Sequence, residues 1–199
     1  PEDTDWFLDR LYDFAPALGI SMIHARYSRY VIDLNRASDS RPLYEDQRAQ
    51  MPLVPLQTFS LKPIYNTDPP SEGEIADRRK LYYDPYYRQI ENTLEELKAE
   101  FSNVMFFDAH SIKSRVASIS PNPFPHLILG DNLGKSAHQK LSEAAEKELR
   151  RSGDFSFSHN QPFRGGHLTR FFGQPAQSIH ALQLEIVQDV YMDEAVNRY

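Results

Sequence analysis

The chain has 199 residues, of which 40% are hydrophobic and 25% are charged, a balance typical of one globular domain. No apolar run approaches the roughly 20 residues that a membrane-spanning helix needs, so no membrane association is expected. The net charge of −6 and the scattered basic residues argue against nucleic-acid binding. The absence of cysteine excludes disulfides and thiolate chemistry, and we expect a cytoplasmic protein.

The spacing of apolar residues predicts alternating helices and strands. A cap at Thr4 or Asp5 and a capping box of Ser71 and Glu74 mark two helix starts, and Pro85 should kink the second helix. In chain order, the prediction is a helix from residue 4 or 5 to about residue 17, strands at 20–27 and 30–34, a long loop at 39–70, a helix at about 72–101, strands at 104–107 and 127–130, a helix at 136–151, and strands at 168–172 and 181–187. This order predicts a single α/β domain over residues 1–199, with a mixed sheet flanked by helices on both faces.

Polar residues directly follow the apolar run at 104–107. The two-residue period of a strand places Asp108 and His110 on one side, where a carboxylate can orient an imidazole that ligates a metal or moves protons. In open α/β sheets, ligands bind at the carboxyl ends of strands. A structural histidine is the alternative that this pattern leaves open.

A second polar pair lies within the apolar run at 181–187. Gln183 and Glu185 should share one face, while Leu182, Leu184 and Ile186 occupy the other. Burial would raise the pKa of Glu185 toward the range that is useful for proton transfer. A glutamate in a structural salt bridge is the alternative reading.

Four arginines lie near the predicted strands: Arg29, Arg36, Arg164 and Arg170. Because guanidinium groups form bidentate pairs with carboxylates, these residues favour an anionic substrate, although each could equally form a structural ion pair. The remaining histidines lack metal-ligand spacing and are interpreted as surface or core residues; they include His24, His126, His138, His159 and His180.

Several segments carry a more specific signal through their order along the chain: 3–6, 28–36, 42–44, 108–112, 163–170 and 180–185, followed by Tyr191 and Met192. Together they resemble the N-formylglutamate amidohydrolase family. The resemblance implies a fold similar to zinc-dependent exopeptidases, of the phosphorylase/hydrolase-like type. It also implies metal-dependent hydrolysis of N-formyl-L-glutamate to formate and L-glutamate, a step of bacterial histidine degradation.

The resemblance also implies roles for individual residues. His110 would be a metal ligand and Asp5 the carboxylate ligand, with Asp3 in reserve. Glu185 would be the general base that then protonates the departing amine, and Asp108 would orient His110. A further histidine ligand is expected upstream of the first residue, and the chain is expected to be trimmed at both ends.

The substrate carboxylates would be held by arginines and an asparagine, namely Arg29, Asn35, Arg36, Arg164 and Arg170. The metal would be zinc, with cobalt, iron or manganese as alternatives. Two departures from the family pattern, at 85–87 and 129–136, bear on substrate detail. Two other functions therefore stay open: a deacylase of another N-acyl amino acid, and a non-catalytic carboxylate-binding member. The oligomeric state is not predicted.

Overall fold

A mixed sheet forms the centre of the protein in the computed structural model, which describes residues 1–44 and 51–199. Within these residues the sheet has four strands in the order β1-β4-β2-β3. The pairs β1–β4 and β2–β3 are parallel, whereas β2–β4 is antiparallel. The strands are β1 Val104–Ile112, β2 Leu127–Gly130, β3 Phe157–His159 and β4 Ile179–Val187. The predicted α/β class and mixed sheet are therefore confirmed.

Helices pack against both faces of this sheet. The α-helices are α1 Leu8–Leu11, α2 Glu72–Arg78, α3 Asp84–Glu100, α4 Gln139–Arg150 and α5 His167–Phe172. Helix α4 contacts the face that carries Leu182 through Ala145 and Leu149. Helices α3 and α5 pack together on the opposite face, around Ile90 and Phe172. No helix in the described ranges is both long and apolar enough to cross a membrane.

The long predicted helix is confirmed, together with its start and its interruption. The Ser71 hydroxyl accepts a hydrogen bond from the Glu74 N–H at 3.2 Å, as the capping box requires. A π-helical turn, Arg79–Tyr83, then separates α2 from α3. Pro85 lies at the start of α3 and cannot donate a backbone hydrogen bond, which accounts for the irregular turn before it.

The predicted N-terminal helix is wrong in its start and length. Helix α1 covers only Leu8–Leu11 and begins after Phe7, whose φ of 59° is left-handed. Residues Ala15–Leu18 form a separate 3-10 helix with Pro16 in its first turn. Asp5 caps no helix, because its carboxylate instead accepts a hydrogen bond from the backbone N–H of Ser111.

The two strands predicted before residue 35 are also wrong, since neither run is part of the sheet. Backbone carbonyls in this region accept hydrogen bonds from helical side chains instead of from a neighbouring strand. Arg78 donates to the Val31 carbonyl at 2.9 Å, and Tyr87 donates to the Leu34 carbonyl at 2.8 Å. Side chains of the 72–100 region thus satisfy the polar backbone that a sheet would otherwise satisfy.

Residues 168–172 were predicted as a strand but belong to helix α5. Leu168, Thr169 and Phe172 are its buried residues, a helical spacing that a short apolar run does not distinguish from a strand. The three-residue strand β3 was not predicted, and β1 continues past the predicted end to Ile112. The loop at 39–70 contains no helix or strand in its described parts, and residues 45–50 lie outside the described ranges.

Candidate active site

The polar residues of β1 and β4 meet on one face of the sheet. The parallel register places His110 beside Glu185 and Asp108 beside Gln183. The Gln183 amide donates a hydrogen bond to Glu185 Oε2 at 3.0 Å, so these two side chains share a face as the sequence predicts. Ionisable groups from two neighbouring strands are therefore concentrated in one buried layer.

His110 lies between two carboxylates. Its Nδ1 is 3.2 Å from Asp5 Oδ2, and its Nε2 is 3.0 Å from Asp108 Oδ1. Burial alone would lower the pKa of His110, but the two negative charges raise it well above its usual value. The Asn35 amide nitrogen also lies 2.9 Å from Nε2. The ring is consequently fixed from both of its nitrogen atoms.

Asp5 reaches this layer from the N-terminal segment. Its Oδ1 accepts the Ser111 N–H at 2.9 Å, and Arg29 Nη2 lies 3.6 Å from its Oδ2. Burial opposes ionisation of Asp5, but His110 and Arg29 hold its pKa below the usual value. Asp5 is therefore a carboxylate beside His110 at neutral pH.

Glu185 provides the carboxyl group whose pKa is best suited to proton transfer. Its exposed fraction is 8%. Burial, reinforced by the negative charge of Asp5, raises the pKa of Glu185 to about 7, although His110 and Arg29 oppose the shift. A carboxyl group with this pKa can both accept and release a proton near neutral pH.

Glycines allow the segment before α5 to lie close to the sheet and to Asn35. A Cβ atom at Gly166 would lie 2.2 Å from the Asn35 amide nitrogen. A Cβ atom at Gly130, in β2, would lie 2.5 Å from the Gly165 nitrogen. The Gly166 N–H donates to Gln183 Oε1 at 2.6 Å. Glycine is required here because any side chain would separate the segment from β2 and Asn35.

These residues border a cavity of about 150 Å³. Its lining consists of Arg29, Asn35, Arg36, Leu43, Tyr44, Met51, Thr58, Phe59, Leu61, His110, Ser111, Ile112, Ser118, Ile119, Phe163, Gly166, Gln183 and Glu185. A second cavity, of about 390 Å³, shares Phe59, Leu61 and Ser118 with the first and includes Lys113 and Arg115 in its lining. Because the first cavity contains His110 and Glu185, it is the candidate active site.

The model of one protein family, N-formylglutamate amidohydrolase, matches residues 1–192. The chain belongs to the N-formylglutamate amidohydrolase family. An N-formylglutamate deformylase from Pseudomonas aeruginosa is 44% identical over 193 residues, covering 96% of this chain and 72% of that relative. An N-formylglutamate deformylase from Pseudomonas putida is 38% identical over 196 residues, with the same two coverages.

One solved structure agrees with this family assignment, and a second agrees with the fold. The chain resembles the crystal structure of N-formylglutamate amidohydrolase from Ralstonia eutropha JMP134, with a TM-score of 0.85, 27% identity, and coverage of 98% of this chain and 75% of that one. Gene product Atu2144 from Agrobacterium tumefaciens has a TM-score of 0.59 and 19% identity, over 86% of this chain and 62% of its own. The latter likeness concerns the fold alone.

The two predicted carboxylate ligands of this family member occupy different places. Asp5 lies beside His110, as described above. Asp3 instead accepts hydrogen bonds on its Oδ2 from the Tyr30 hydroxyl at 3.0 Å and from the Phe59 N–H at 2.9 Å. The contacts of Asp3 thus tie the N-terminal segment to neighbouring loops.

The predicted substrate-binding residues are only partly brought together. Arg29, Asn35 and Arg36 line the cavity, whereas Arg164 and Arg170 are absent from its lining.

Arg36 donates to the Asn35 carbonyl at 2.8 Å and to the Met51 carbonyl at 3.3 Å. Arg170 donates through Nε to the Gly165 carbonyl at 2.9 Å, donates to the Leu43 carbonyl, and stands 4.7 Å from the ring centre of Tyr44. Because Leu43 and Tyr44 line the cavity, Arg170 stabilises part of the cavity lining from outside it.

Two donors in this layer fit part of a metal site. No group of at least three histidine or acidic residues in residues 1–44 and 51–199 is arranged to hold a metal ion. Nevertheless, Asp5 Oδ2 and His110 Nδ1 converge at 3.2 Å, while the other ring nitrogen of His110 faces Asp108. A carboxylate behind an imidazole is the usual arrangement for a metal-ligating histidine.

Sequence reasoning overlooked one residue of this layer. The Thr169 hydroxyl donates to Asp108 Oδ2 at 3.0 Å, and both side chains are buried. Thr169 was hidden by the wrong strand prediction for residues 168–172. Thr169 is the uncharged polar residue beside Leu168, Phe171 and Phe172 in this run, and that was the signal that could have identified it.

Proposed function

We propose that this protein hydrolyses N-formyl-L-glutamate to formate and L-glutamate. The choice of substrate is supported by the resemblance to N-formylglutamate deformylases from two Pseudomonas species. The observation that supports the chemistry is Glu185, a buried carboxyl group at the cavity, 8% exposed and with a pKa of about 7. The proposed reaction breaks the formamide C–N bond by attack of water on the formyl carbon.

In this proposal Glu185 moves the proton that hydrolysis requires. It accepts a proton from the attacking water and releases it to the amine nitrogen of glutamate as the C–N bond breaks. General acid–base catalysis of this kind contributes about 10²–10⁴-fold to a rate. Gln183 keeps one Glu185 oxygen in place through the hydrogen bond of 3.0 Å between them.

The proposal includes a divalent metal, with zinc as the first choice and cobalt, iron or manganese as alternatives. Asp5 and His110 would hold it, and Asp108 would orient His110 from the opposite side of the ring. When bound, such an ion would supply Lewis-acid polarisation of the formyl carbonyl. The expected likeness of the fold to zinc-dependent exopeptidases is part of the same proposal.

The glutamate part of the substrate carries two carboxylates, and the cavity offers Arg29 and Arg36 to them. Arg29 already neutralises Asp5 at 3.6 Å, so a substrate carboxylate would share this cation. Arg36 exposes 19% of its side chain, lies 3.9 Å from Asp33 Oδ2, and uses two of its donors on backbone carbonyls, so a substrate carboxylate would share this cation as well. We propose Arg29 and Arg36 as the carboxylate contacts, with Arg164 and Arg170 in supporting positions around the cavity.

Formate release from N-formyl-L-glutamate tests the proposal. The protein is loaded with Zn²⁺ and assayed before and after removal of the metal by a chelator, alongside N-formyl-L-leucine and N-acetyl-L-glutamate, whose hydrolysis is followed by acetate release. Release of formate that the chelator abolishes and that is fastest with N-formyl-L-glutamate supports the whole account. Formate release that persists without the metal would support the proposed substrate but contradict the proposed metal dependence. Faster hydrolysis of another N-acyl amino acid would contradict the proposed substrate.

A cytoplasmic location and a place in histidine degradation complete the proposal. The location is inferred from the absence of cysteine, and the place in histidine degradation follows from the family resemblance. A strain that lacks the protein and grows on histidine as its nitrogen source should accumulate N-formyl-L-glutamate in its cytoplasmic extract; an unchanged level would contradict this part.

A further inference from the structure

Thr169 connects helix α5 to the polar layer of the sheet. Its exposed fraction is 0%, and its Oγ1 donates to Asp108 Oδ2 at 3.0 Å. The other oxygen of the same carboxylate, Asp108 Oδ1, lies 3.0 Å from His110 Nε2. Asp108 therefore bridges a hydroxyl on one element and an imidazole on another.

The position of the Thr169 hydroxyl is fixed by its packing. A Cβ atom at Gly165 would lie 2.9 Å from Thr169 Cγ2, so the methyl group fills the space that this glycine leaves. Gly165 also has a φ of +100°, which a side chain would disfavour. Because a β-branched side chain has few χ1 rotamers in a helix, this contact holds the hydroxyl toward Asp108.

Without this donor the Asp108 carboxylate would have less to define its orientation. A buried carboxylate needs a partner for each oxygen, and Thr169 supplies the partner for Oδ2. The rotation of the carboxylate group decides whether Oδ1 faces His110. The same rotation therefore affects the ring that keeps Nδ1 beside Asp5.

We propose that Thr169 is a positioning residue for the deformylase reaction: it holds Asp108 so that His110 keeps its orientation toward Asp5. The inference rests on the proposed function for its effect on turnover. The alternative is that Thr169 is a core residue whose hydroxyl only satisfies a buried carboxylate. The two readings differ in what a change of the hydroxyl does to His110.

Two substitutions separate these readings. Thr169→Val keeps the shape of the side chain but removes the hydroxyl, and Thr169→Ser keeps the hydroxyl. We expect Thr169→Val to lower kcat/KM by about 10–100-fold, mainly through kcat, as is typical when the partner of a metal-ligating histidine is disturbed. Thr169→Ser should recover most of this loss.

A double substitution tests whether Thr169 acts through Asp108. If it does, adding Thr169→Val to Asp108→Asn should lower kcat/KM by less than threefold beyond Asp108→Asn alone, because the two changes remove one shared interaction. Full multiplication of the two losses would overturn the proposal.

The state of the His110 ring provides a measurement that does not depend on catalysis. In the protein labelled with ¹⁵N-histidine, the two ring nitrogens of His110 should have the same chemical shifts in the wild type and in Thr169→Ser. These shifts should change in Thr169→Val. If the wild type releases no formate, the proposed function fails, and this spectrum alone still decides the positioning role.

Loss of stability needs a separate control. Ser136 is also buried, its hydroxyl donates to the Ala181 carbonyl at 2.8 Å, and it does not line the cavity. Ser136→Ala should lower Tm about as much as Thr169→Val does but leave kcat/KM within about twofold of the wild type. An unchanged His110 spectrum together with unchanged turnover in Thr169→Val would overturn the proposal.

Discussion

Among residues 1–44 and 51–199, two histidines lie between carboxylates, yet only one of them borders the candidate active site. We call them the His110 cluster (Asp5, Asp108, His110) and the His159 cluster (Asp131, Glu146, His159). The contacts are His110 Nδ1 to Asp5 Oδ2 at 3.2 Å, His110 Nε2 to Asp108 Oδ1 at 3.0 Å, His159 Nε2 to Asp131 Oδ2 at 3.1 Å, and His159 Nδ1 to Glu146 Oε2 at 3.3 Å. Charge and distance alone do not distinguish the clusters.

The surroundings do distinguish them. The His110 side chain is 13% exposed and lines the cavity together with Glu185. The His159 side chain is 27% exposed and is absent from the lining of both cavities. Glu146 is also committed to Arg150 at 2.8 Å on the surface of α4. A histidine between two carboxylates becomes a candidate site when a cavity and a further proton carrier accompany it.

The largest expected contrast comes from replacing each histidine. His110→Asn should reduce formate release by at least about a hundredfold, because it removes the ring that Asp5 and Asp108 hold at the cavity. His159→Asn should stay within about twofold of the wild type. Steady-state kinetics with N-formyl-L-glutamate measure both changes. Equal losses in the two variants would remove the distinction between the clusters.

Substitution of the buried aspartate in each cluster, Asp108 or Asp131, should have different effects. Asp108→Asn should lower kcat/KM by about 10–100-fold, because the amide no longer matches the His110 ring. Asp131 accepts hydrogen bonds from Asn160 Nδ2 and the Gly134 N–H, each at 2.8 Å.

Asp131→Asn should therefore lower the free energy of unfolding by about 1–3 kcal/mol, with little effect on activity. Urea unfolding and steady-state kinetics on both variants measure the loss of stability and the loss of activity separately. A fully active but destabilised Asp108→Asn would contradict it.

A smaller effect should appear as a pH dependence of stability at the His159 cluster. Burial would raise the pKa of Asp131, but its hydrogen bonds and the nearby His159 lower it below the usual value. A depressed pKa means that Asp131 stabilises the fold above its unfolded pKa of about 4 and that this contribution is lost as the pH falls.

The difference in unfolding free energy between the wild type and Asp131→Asn should therefore shrink as the pH is lowered from 7 toward 3. Urea unfolding at several pH values measures it. A difference that stays constant, or grows toward acid, would show that Asp131 has no depressed pKa.

Local patterns along the chain were enough to predict the sheet residues of the site. The period of a strand placed Asp108 with His110 and Gln183 with Glu185, and the register of β1 and β4 brings the two pairs together. The capping box at Ser71 was equally local. Such predictions succeed because the determining contacts lie within a few residues of one another.

Contacts between distant segments could not be predicted in this way. Local patterns predicted that Asp5 caps a helix, and only the family resemblance placed it with His110, which it contacts 105 residues away. Residues 20–34 have the composition of strands, yet side chains from the 72–100 region satisfy their carbonyl groups. Thr169 required the correct secondary structure of α5 before its hydroxyl could be placed. In each case tertiary contacts outweigh a local propensity of less than about 1 kcal/mol per residue.

The most direct test of the account is the turnover of Glu185→Gln. Its matched control is Glu95→Gln, which makes the same change at an exposed position of α3. We predict that Glu185→Gln lowers kcat by at least about a hundredfold. Its Kd for the product L-glutamate, measured by calorimetry, should stay within about threefold of the wild type, and Glu95→Gln should match the wild type in both. Wild-type turnover in Glu185→Gln would contradict the assignment of proton transfer to this cavity.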